Sequence, residues 1–105
     1  MKKIVFEGDT LMRLRSFPEA AKQRAAYEID RVLSDKEPES WESFPNVGQG
    51  VRGIRIQVNG HYRVLYIDKV DNRVHVLHAY EKKSQKTRQT DIDLAKPRLK
   101  SVLEG

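Results

Sequence analysis

The sequence predicts an α+β domain in which helices pack on an antiparallel sheet. Three observations carry that prediction. Residues 19–35 place apolar side chains at helical spacing, residues 51–81 change to period two with two tight turns, and helical spacing returns after residue 90. The predicted order is strand, two helices, three strands, final helix, β-α-α-β-β-β-α.

Lys3 to Phe6 reads as a first strand closed by Glu7, Gly8 and Asp9, with Asp9 as a helix cap before Leu11, Met12 and Leu14. Ser16 stands three residues before Glu19, with Pro18 between them, which is capping-box spacing with proline in the first turn. The second helix then carries Ala21, Ala25, Ile29, Val32 and Leu33 on one stripe to about Asp35, the face it lays on a sheet. Residues 36–49 hold two prolines and read as a loop, with Trp41 and Phe44 as its anchors or, for Trp41, as a base-stacking surface.

Val51 to Val58, Asn59-Gly60 and His61 to Lys69 form a hairpin pattern, and Asp71-Asn72 makes a second turn before Arg73 to Glu81. Arg63 shares a face with Leu65 and Ile67, and Tyr62 with Val64 and Tyr66, so this strand is expected at the centre of the sheet. Alternation on the last strand sets Val74, Val76, His78 and Tyr80 on one face and His75, Leu77, Ala79 and Glu81 on the other. Thr90 precedes Asp93 at capping-box spacing, and Ile92, Ala95, Leu99, Val102 and Leu103 make the final helical stripe. Pro97 inside it is expected to kink or split that helix.

At 105 residues the chain has room for one modest core, so residues 1–105 are expected to form a single domain. Formal net charge is +5. Residues 1–50 carry 8 Lys/Arg against 9 Asp/Glu and residues 51–105 carry 12 against 6, so the whole excess lies in the second half. Such a surface favours phosphate backbones, acidic protein segments or anionic lipid, with nucleic acid leading. There is no cysteine, which permits a reducing compartment and leaves no thiolate ligands. Only Ile4, Val5 and Phe6 follow Lys2 and Lys3 before Glu7, too few for a signal peptide, and no apolar run nears the roughly 20 residues of a membrane span. A cytoplasmic protein without a membrane partner is the expectation.

The residues with chemical potential concentrate around the end of the last strand. Arg52, Arg55 and Arg63 on the meander, with Lys82, Lys83 and Lys86 after it, offer forks and point charges for phosphate, or else a solvated cationic surface. His78, beside Tyr80 on the expected face, is the better acid or base of the three histidines, or a hydrogen-bonded structural one. His61, His75 and His78 have no metal-ligand spacing, so neither metal nor cofactor is expected. Nucleophile elbows, phosphate-binding glycine loops and paired carboxylates are absent from the sequence.

Gly50 to Lys100 resembles the RelE/ParE superfamily of bacterial toxins, within it the HigB-like, phage-related branch. The resemblance rests on Val51-Arg52-Gly53-Ile54-Arg55, Tyr62-Arg63-Val64-Leu65-Tyr66, Val76-Leu77-His78-Ala79-Tyr80, Lys82-Lys83-Ser84-Gln85-Lys86-Thr87 and Asp91-Ile92-Asp93-Leu94-Ala95. It implies a RelE-like fold and a toxin of a type II toxin–antitoxin system, a metal-independent endoribonuclease that cuts mRNA on the ribosome. Attack of the RNA 2′-OH on the adjacent phosphate would leave a 2′,3′-cyclic phosphate. By position, Arg63 would stabilise the phosphorane, Lys82 and Lys83 would grip the backbone or move protons, and Tyr80 would stack on or orient the substrate. Arg52, Arg55, Gln85 and Lys86 would bind RNA, and His78 is a further catalytic candidate. The implied partners are the ribosome, mRNA and a HigA-like helix-turn-helix antitoxin encoded by the adjacent gene. The alternative is a non-catalytic, ParE-like protein that binds DNA gyrase or another host protein.

Overall fold

A computed structural model of the protein describes residues 1–105. Its elements are β1 (Lys3–Phe6), α1 (Thr10–Arg15), α2 (Glu19–Leu33), β2 (Trp41–Ser43), β3 (Arg52–Gln57), β4 (His61–Val70), β5 (Arg73–Glu81) and α3 (Gln89–Glu104). The five strands form one sheet in the order β1-β5-β4-β3-β2, antiparallel except for the parallel β1–β5 pair. The fold is α+β, as the periodicity predicts, and β4 lies at the centre. No helix is long and apolar enough to cross a membrane.

Helices cover both faces of the sheet. α1 and α2 close one core, where Ala21, Ala25, Ile29 and Val32 meet Ile54, Ile56, Val64, Tyr66, Val74 and Val76. α3 closes the other, where Ile92, Ala95, Leu99 and Val102 meet Leu65, Ile67, Leu77 and Tyr80. The predicted helical stripes hold, except that Leu33 is only partly buried and Leu103 is exposed. α2 also buries Glu28, whose carboxylate accepts from Arg24 Nη2 at 2.9 Å and from the Glu39 N–H at 3.1 Å. That carboxylate fastens the loop after α2 to the helix.

Several local expectations give way to tertiary contacts. β2 occupies the middle of the expected loop and pairs with β3 through Trp41–Ile54, Glu42–Gly53 and Ser43–Arg52. Three residues among prolines leave no periodicity to read, so this strand exists only through its partner. Phe44 is buried as an anchor, whereas Trp41 stays half-exposed with the Arg52 guanidinium 3.9 Å from its ring centre. No side chain caps α1, α2 or α3. Asp9 takes Arg13 and Arg98 instead, and the Ser16 hydroxyl donates back to Arg13 O at 2.7 Å at the end of α1. α3 starts before Thr90 and runs unbroken through Pro97. Pro97 is on the exposed side, so the carbonyl it leaves without a donor meets water and not the core.

β1 is tied to the sheet by more than its ladder. His75, buried on β5, donates from Nδ1 to Glu7 Oε2 at 2.8 Å and from Nε2 to Asp71 Oδ1 at 3.0 Å. Two carboxylate acceptors require both ring nitrogens to carry hydrogen, which makes the ring an imidazolium. Burial pulls its pKa down, but the hydrogen bonds and charges of Glu7 and Asp71 outweigh burial and raise it above the ordinary value. The resulting stability is fully present below the unfolded-state pKa, about 6.5, and is lost as pH rises through the higher folded-state value. The urea midpoint should therefore fall between pH 6 and pH 9, and the fall should be smaller in His75→Gln. Parallel midpoint curves for the two proteins would show that His75 contributes no such linkage.

Candidate functional site

The site forms where β5 ends, and an extra residue in β5 decides which side chains reach it. Leu65 pairs with His78 and Tyr66 with Val76, so Leu77 is a bulge. Simple alternation therefore fails. Val74, Val76 and Ala79 enter the α1–α2 core, and Leu77 and Tyr80 enter the α3 core. Of the four residues expected on one face, Val74 and Val76 stay on the α1–α2 side, while His78 and Tyr80 lie together on the α3 side, their rings stacked at 5.2 Å. The freed Leu77 carbonyl accepts from Arg98 Nη1 at 3.0 Å.

His78 is wholly buried. Its Nε2 donates to Asp91 Oδ1 at 2.8 Å, and Nδ1 lies 3.5 Å from Arg98 Nη1, an acceptor position. Burial holds its pKa below the ordinary value against the pull of Asp91, with Arg13 and Arg98 adding to the depression. The ring is neutral, tautomerically fixed and out of reach of a substrate, which removes it as an acid or base in this conformation. Tyr80 is also buried; its hydroxyl shares a hydrogen bond with Thr87 Oγ1 at 2.7 Å, and burial pushes the phenol pKa up to about 12. With one face against His78, it is a wall of the site and not a stacking platform.

Arg55, Arg63 and Tyr80 are paired across β3, β4 and β5. Glu42 of β2 reaches the same row. One of its oxygens, Oε2, accepts from Arg63 Nε at 2.9 Å and from Arg55 Nε at 3.3 Å. Burial raises the pKa of Glu42, yet the hydrogen bonds and charges of Arg63 and then Arg55 overcome this and hold it below the usual carboxylate value. Arg63 is 5% exposed, and its Nη1 donates to Tyr62 O at 3.1 Å. No buried polar side-chain atom lacks a hydrogen bond, so the unpartnered Nη2 of Arg63 is the corner that solvent reaches.

Arg52 does not join this row. A separation of three residues on a strand sends Arg52 and Arg55 to opposite faces, and Arg52 stacks on Trp41 with Glu37 3.6 Å away. The basic loop meets the end of this row at Tyr80, whose hydroxyl bonds Thr87. The Lys82 N–H donates to His61 O at 2.7 Å, which fixes the loop to the start of β4. His61, Lys82, Lys83, Ser84 and Gln85 line a 440 Å³ hollow. A second cavity, 310 Å³, opens between the α1–α2 corner and the start of α3, with Arg13, Lys83 and Arg88 among its walls. Lys82, Lys86 and Arg88 have no carboxylate partner, and Lys83 is 4.0 Å from Glu81.

Sequence reading missed Glu42 and Arg88. Arg88 lies in the basic stretch and was visible as part of that run. Glu42 carried no signal, because its partner is 21 residues away and is reached only through β2. No three of the His, Asp and Glu side chains gather into a metal centre. The arrangement can hold an anion between two guanidinium groups, beside a loop that supplies further positive charge.

No curated protein matches the chain. Residues 12–100 match the family described as Phage derived protein Gp49-like (DUF891), 89 of the 105 residues, and the chain belongs to this phage-derived family.

Proposed function

We propose that the protein is the toxin of a type II toxin–antitoxin system, a cytoplasmic RelE/ParE-like protein of the HigB-like branch that cuts mRNA on the ribosome. The observation that carries this reading is the carboxylate of Glu42 clasped by Arg55 and Arg63, in a row whose next residue, Tyr80, is bonded to Thr87 of the Lys82–Arg88 loop. Two guanidinium groups that hold one carboxylate are suited to hold one phosphate. The cognate antitoxin, HigA-like and encoded beside the toxin, would cover the basic loop.

Phosphate entering at Arg63 Nη2 meets a donor that Glu42 leaves free, and to take the two Nε donors of Arg63 and Arg55 as well it must displace Glu42. As Glu42 gives up these contacts its proton affinity rises, so the displaced carboxylate becomes a better base at the place where the 2′-OH must lose its proton. The O2′–P bond forms, the P–O5′ bond breaks, and Lys82 or Lys83 donates a proton to the leaving oxygen. A 2′,3′-cyclic phosphate and a 5′-hydroxyl result. Arg63 stabilises the added negative charge of the phosphorane from a central strand that holds its position.

The burial of Arg63, Tyr80 and His78 favours a second reading, a non-catalytic ParE-like protein that presents the basic loop to DNA gyrase or another host protein. Primer extension on a reporter mRNA in a cell-free translation reaction separates the two. New 5′ ends are expected; intact transcripts at micromolar protein together with inhibition of gyrase supercoiling would establish the second reading.

Arg63→Ala should slow cleavage by about 100- to 1,000-fold, the usual effect of removing one transition-state donor of this kind. Arg63→Lys should recover part of it, because the charge returns without the fork. Glu42→Gln should lower cleavage while RNA binding stays equal or tightens, since it removes both the base and the competing anion. Wild-type cleavage by a folded Arg63→Ala protein would remove Arg63 from the mechanism.

Binding to single-stranded RNA should weaken steeply with salt. Replacing Lys82, Lys83 and Lys86 with Ala should lower the slope of log affinity against log salt by about 2, at roughly 0.7 for each phosphate that is no longer neutralised. An unchanged slope would make these lysines a solvated surface only.

A further inference from the structure

Two residues from Arg63 toward the Asn59-Gly60 turn, the same face of the sheet carries a second row of side chains. His61 is paired with Gln57 of β3, and its carbonyl accepts from the Lys82 N–H at 2.7 Å, so Gln57, His61 and Lys82 stand side by side. Strand pairing runs without a break from His61 to Arg63, which keeps the two side chains on one face. A third row, Gly53 and Leu65 with Glu42 beyond them, lies on the other side of Arg63. Neighbouring rows on one face are roughly 6.6 Å apart, two residues of strand. Glu42 therefore approaches Arg63 from one side along β4, and His61 flanks it on the other. Arg63 also reaches back toward that end, since Nη1 donates at 3.1 Å to the carbonyl of Tyr62, the residue between them.

His61 differs from the other two histidines. His75 and His78 are buried and turn both ring nitrogens to protein groups, whereas His61 is exposed and its ring meets no carboxylate and no hydrogen-bond partner. It lines the 440 Å³ hollow with Lys82, Lys83, Ser84 and Gln85, and no acidic side chain is among those walls. The charged groups that face it are Lys82 and Lys83 across the hollow and Arg63 along β4, with Glu81 4.0 Å from Lys83. In an in-line displacement at phosphorus the attacking and leaving oxygens lie on opposite sides of the phosphorus atom. With Glu42 at the 2′-OH, the leaving 5′-oxygen falls on the His61 side. An imidazolium gives up its proton near neutral pH, where an ammonium keeps it, so a histidine is better matched to this transfer than a lysine.

We propose that His61 is the proton donor to the leaving 5′-oxygen, with Lys82 and Lys83 holding phosphate charge beside it. The proposal rests on the cleavage reading and narrows its proton donor to one residue. Glu42 takes the 2′-OH proton as the O2′–P bond forms. The electron pair of the breaking P–O5′ bond stays with O5′, which takes the proton from the His61 ring. Glu42 is left protonated and His61 neutral, and exchange with water restores both.

The test replaces the leaving oxygen. The cut position is mapped by primer extension on ribosome-bound mRNA, and a synthetic mRNA is made with a bridging 5′-sulfur at that linkage. A thiol is far more acidic than an alcohol, so the thiolate leaves without a proton donor. His61→Gln should cut the ordinary mRNA at least about 100-fold more slowly than wild type, the lower end of what a positioned proton donor supplies. It should cut the 5′-thio mRNA at the wild-type rate, while Arg63→Ala, which lacks a charge contact, stays slow on both. Partial unfolding lowers both rates alike, so the ratio of the two in one protein is independent of it. Wild-type cutting of ordinary mRNA by His61→Gln, or a defect of equal size on both substrates, would overturn the assignment and leave cleavage itself in place. Rescue by the 5′-sulfur of Lys82→Ala or Lys83→Ala, and not of His61→Gln, would overturn it by giving the proton to that lysine. Both mRNAs left whole by the wild-type protein would remove the cleavage reading, and the role of His61 with it.

Discussion

The hydrogen bonds that Arg98 and Asp91 of α3 make to β5 set the geometry of the whole site. A regular strand would direct Leu77 and His78 to opposite faces; the bulge puts both into contact with the α3 side and leaves the Leu77 carbonyl without a ladder partner. Arg98 supplies the missing donor, and its Nη2 reaches Asp9 Oδ1 at 2.7 Å. One guanidinium thus joins α3, β5 and the start of α1. Gly8 belongs to the same arrangement: its φ is +57°, and a Cβ there would lie 2.5 Å from Arg98 Nε. Burying a charged group this far is tolerable because its donors are matched to a carboxylate, a carbonyl and a ring nitrogen.

That linkage explains why His78 is scaffold. Asp91 and Arg98 hold the imidazole from its two nitrogens, and Tyr80 lies against its face. Tyr80 in turn holds Thr87 and with it the basic loop. The position of Lys82, Lys83 and Lys86 therefore depends on a chain of contacts that begins inside α3. Surface lysines on a loop fixed at Lys82 and at Thr87 can present a defined charge pattern with less ordering on binding.

Most elements were legible in the sequence because each is long enough to show a period. β5 ends where the alternation and turn signals place it, at Arg73 and Glu81, and the central position of β4 follows from its two apolar faces. Features set by partners far along the chain were not legible. β2 is three residues held by β3, the bulge at Leu77 is a choice of register between β4 and β5, and Glu28 is buried because Arg24 and the Glu39 N–H meet it. The capping expectations failed for a related reason: Asp9, Ser16 and Asp93 have local capping spacing but find other partners in the folded chain. The basic loop was legible as composition, whereas its neighbour Glu42 required the strand pairing. The separation of Arg52 from Arg55 was available from period two alone.

Charge along the sequence is also a poor guide to charge in space. The acidic first half supplies the partners of the basic second half: Glu37 meets Arg52, Glu42 meets Arg55 and Arg63, Asp9 meets Arg98, and Glu7 meets His75. These pairings occupy Arg52, Arg55 and Arg63 of the sheet and leave the 82–88 loop as the densest run of cations without close carboxylates. An incoming RNA would therefore meet the loop first and the arginine row second. At the row it must replace an internal carboxylate, so binding there exchanges one charge-assisted interaction for another and gains less than the number of guanidinium groups implies. In the proposed reaction the exchange favours the transition state over the ground state, because a phosphorane carries more negative charge than the phosphodiester it forms from and competes better with Glu42 for the same donors.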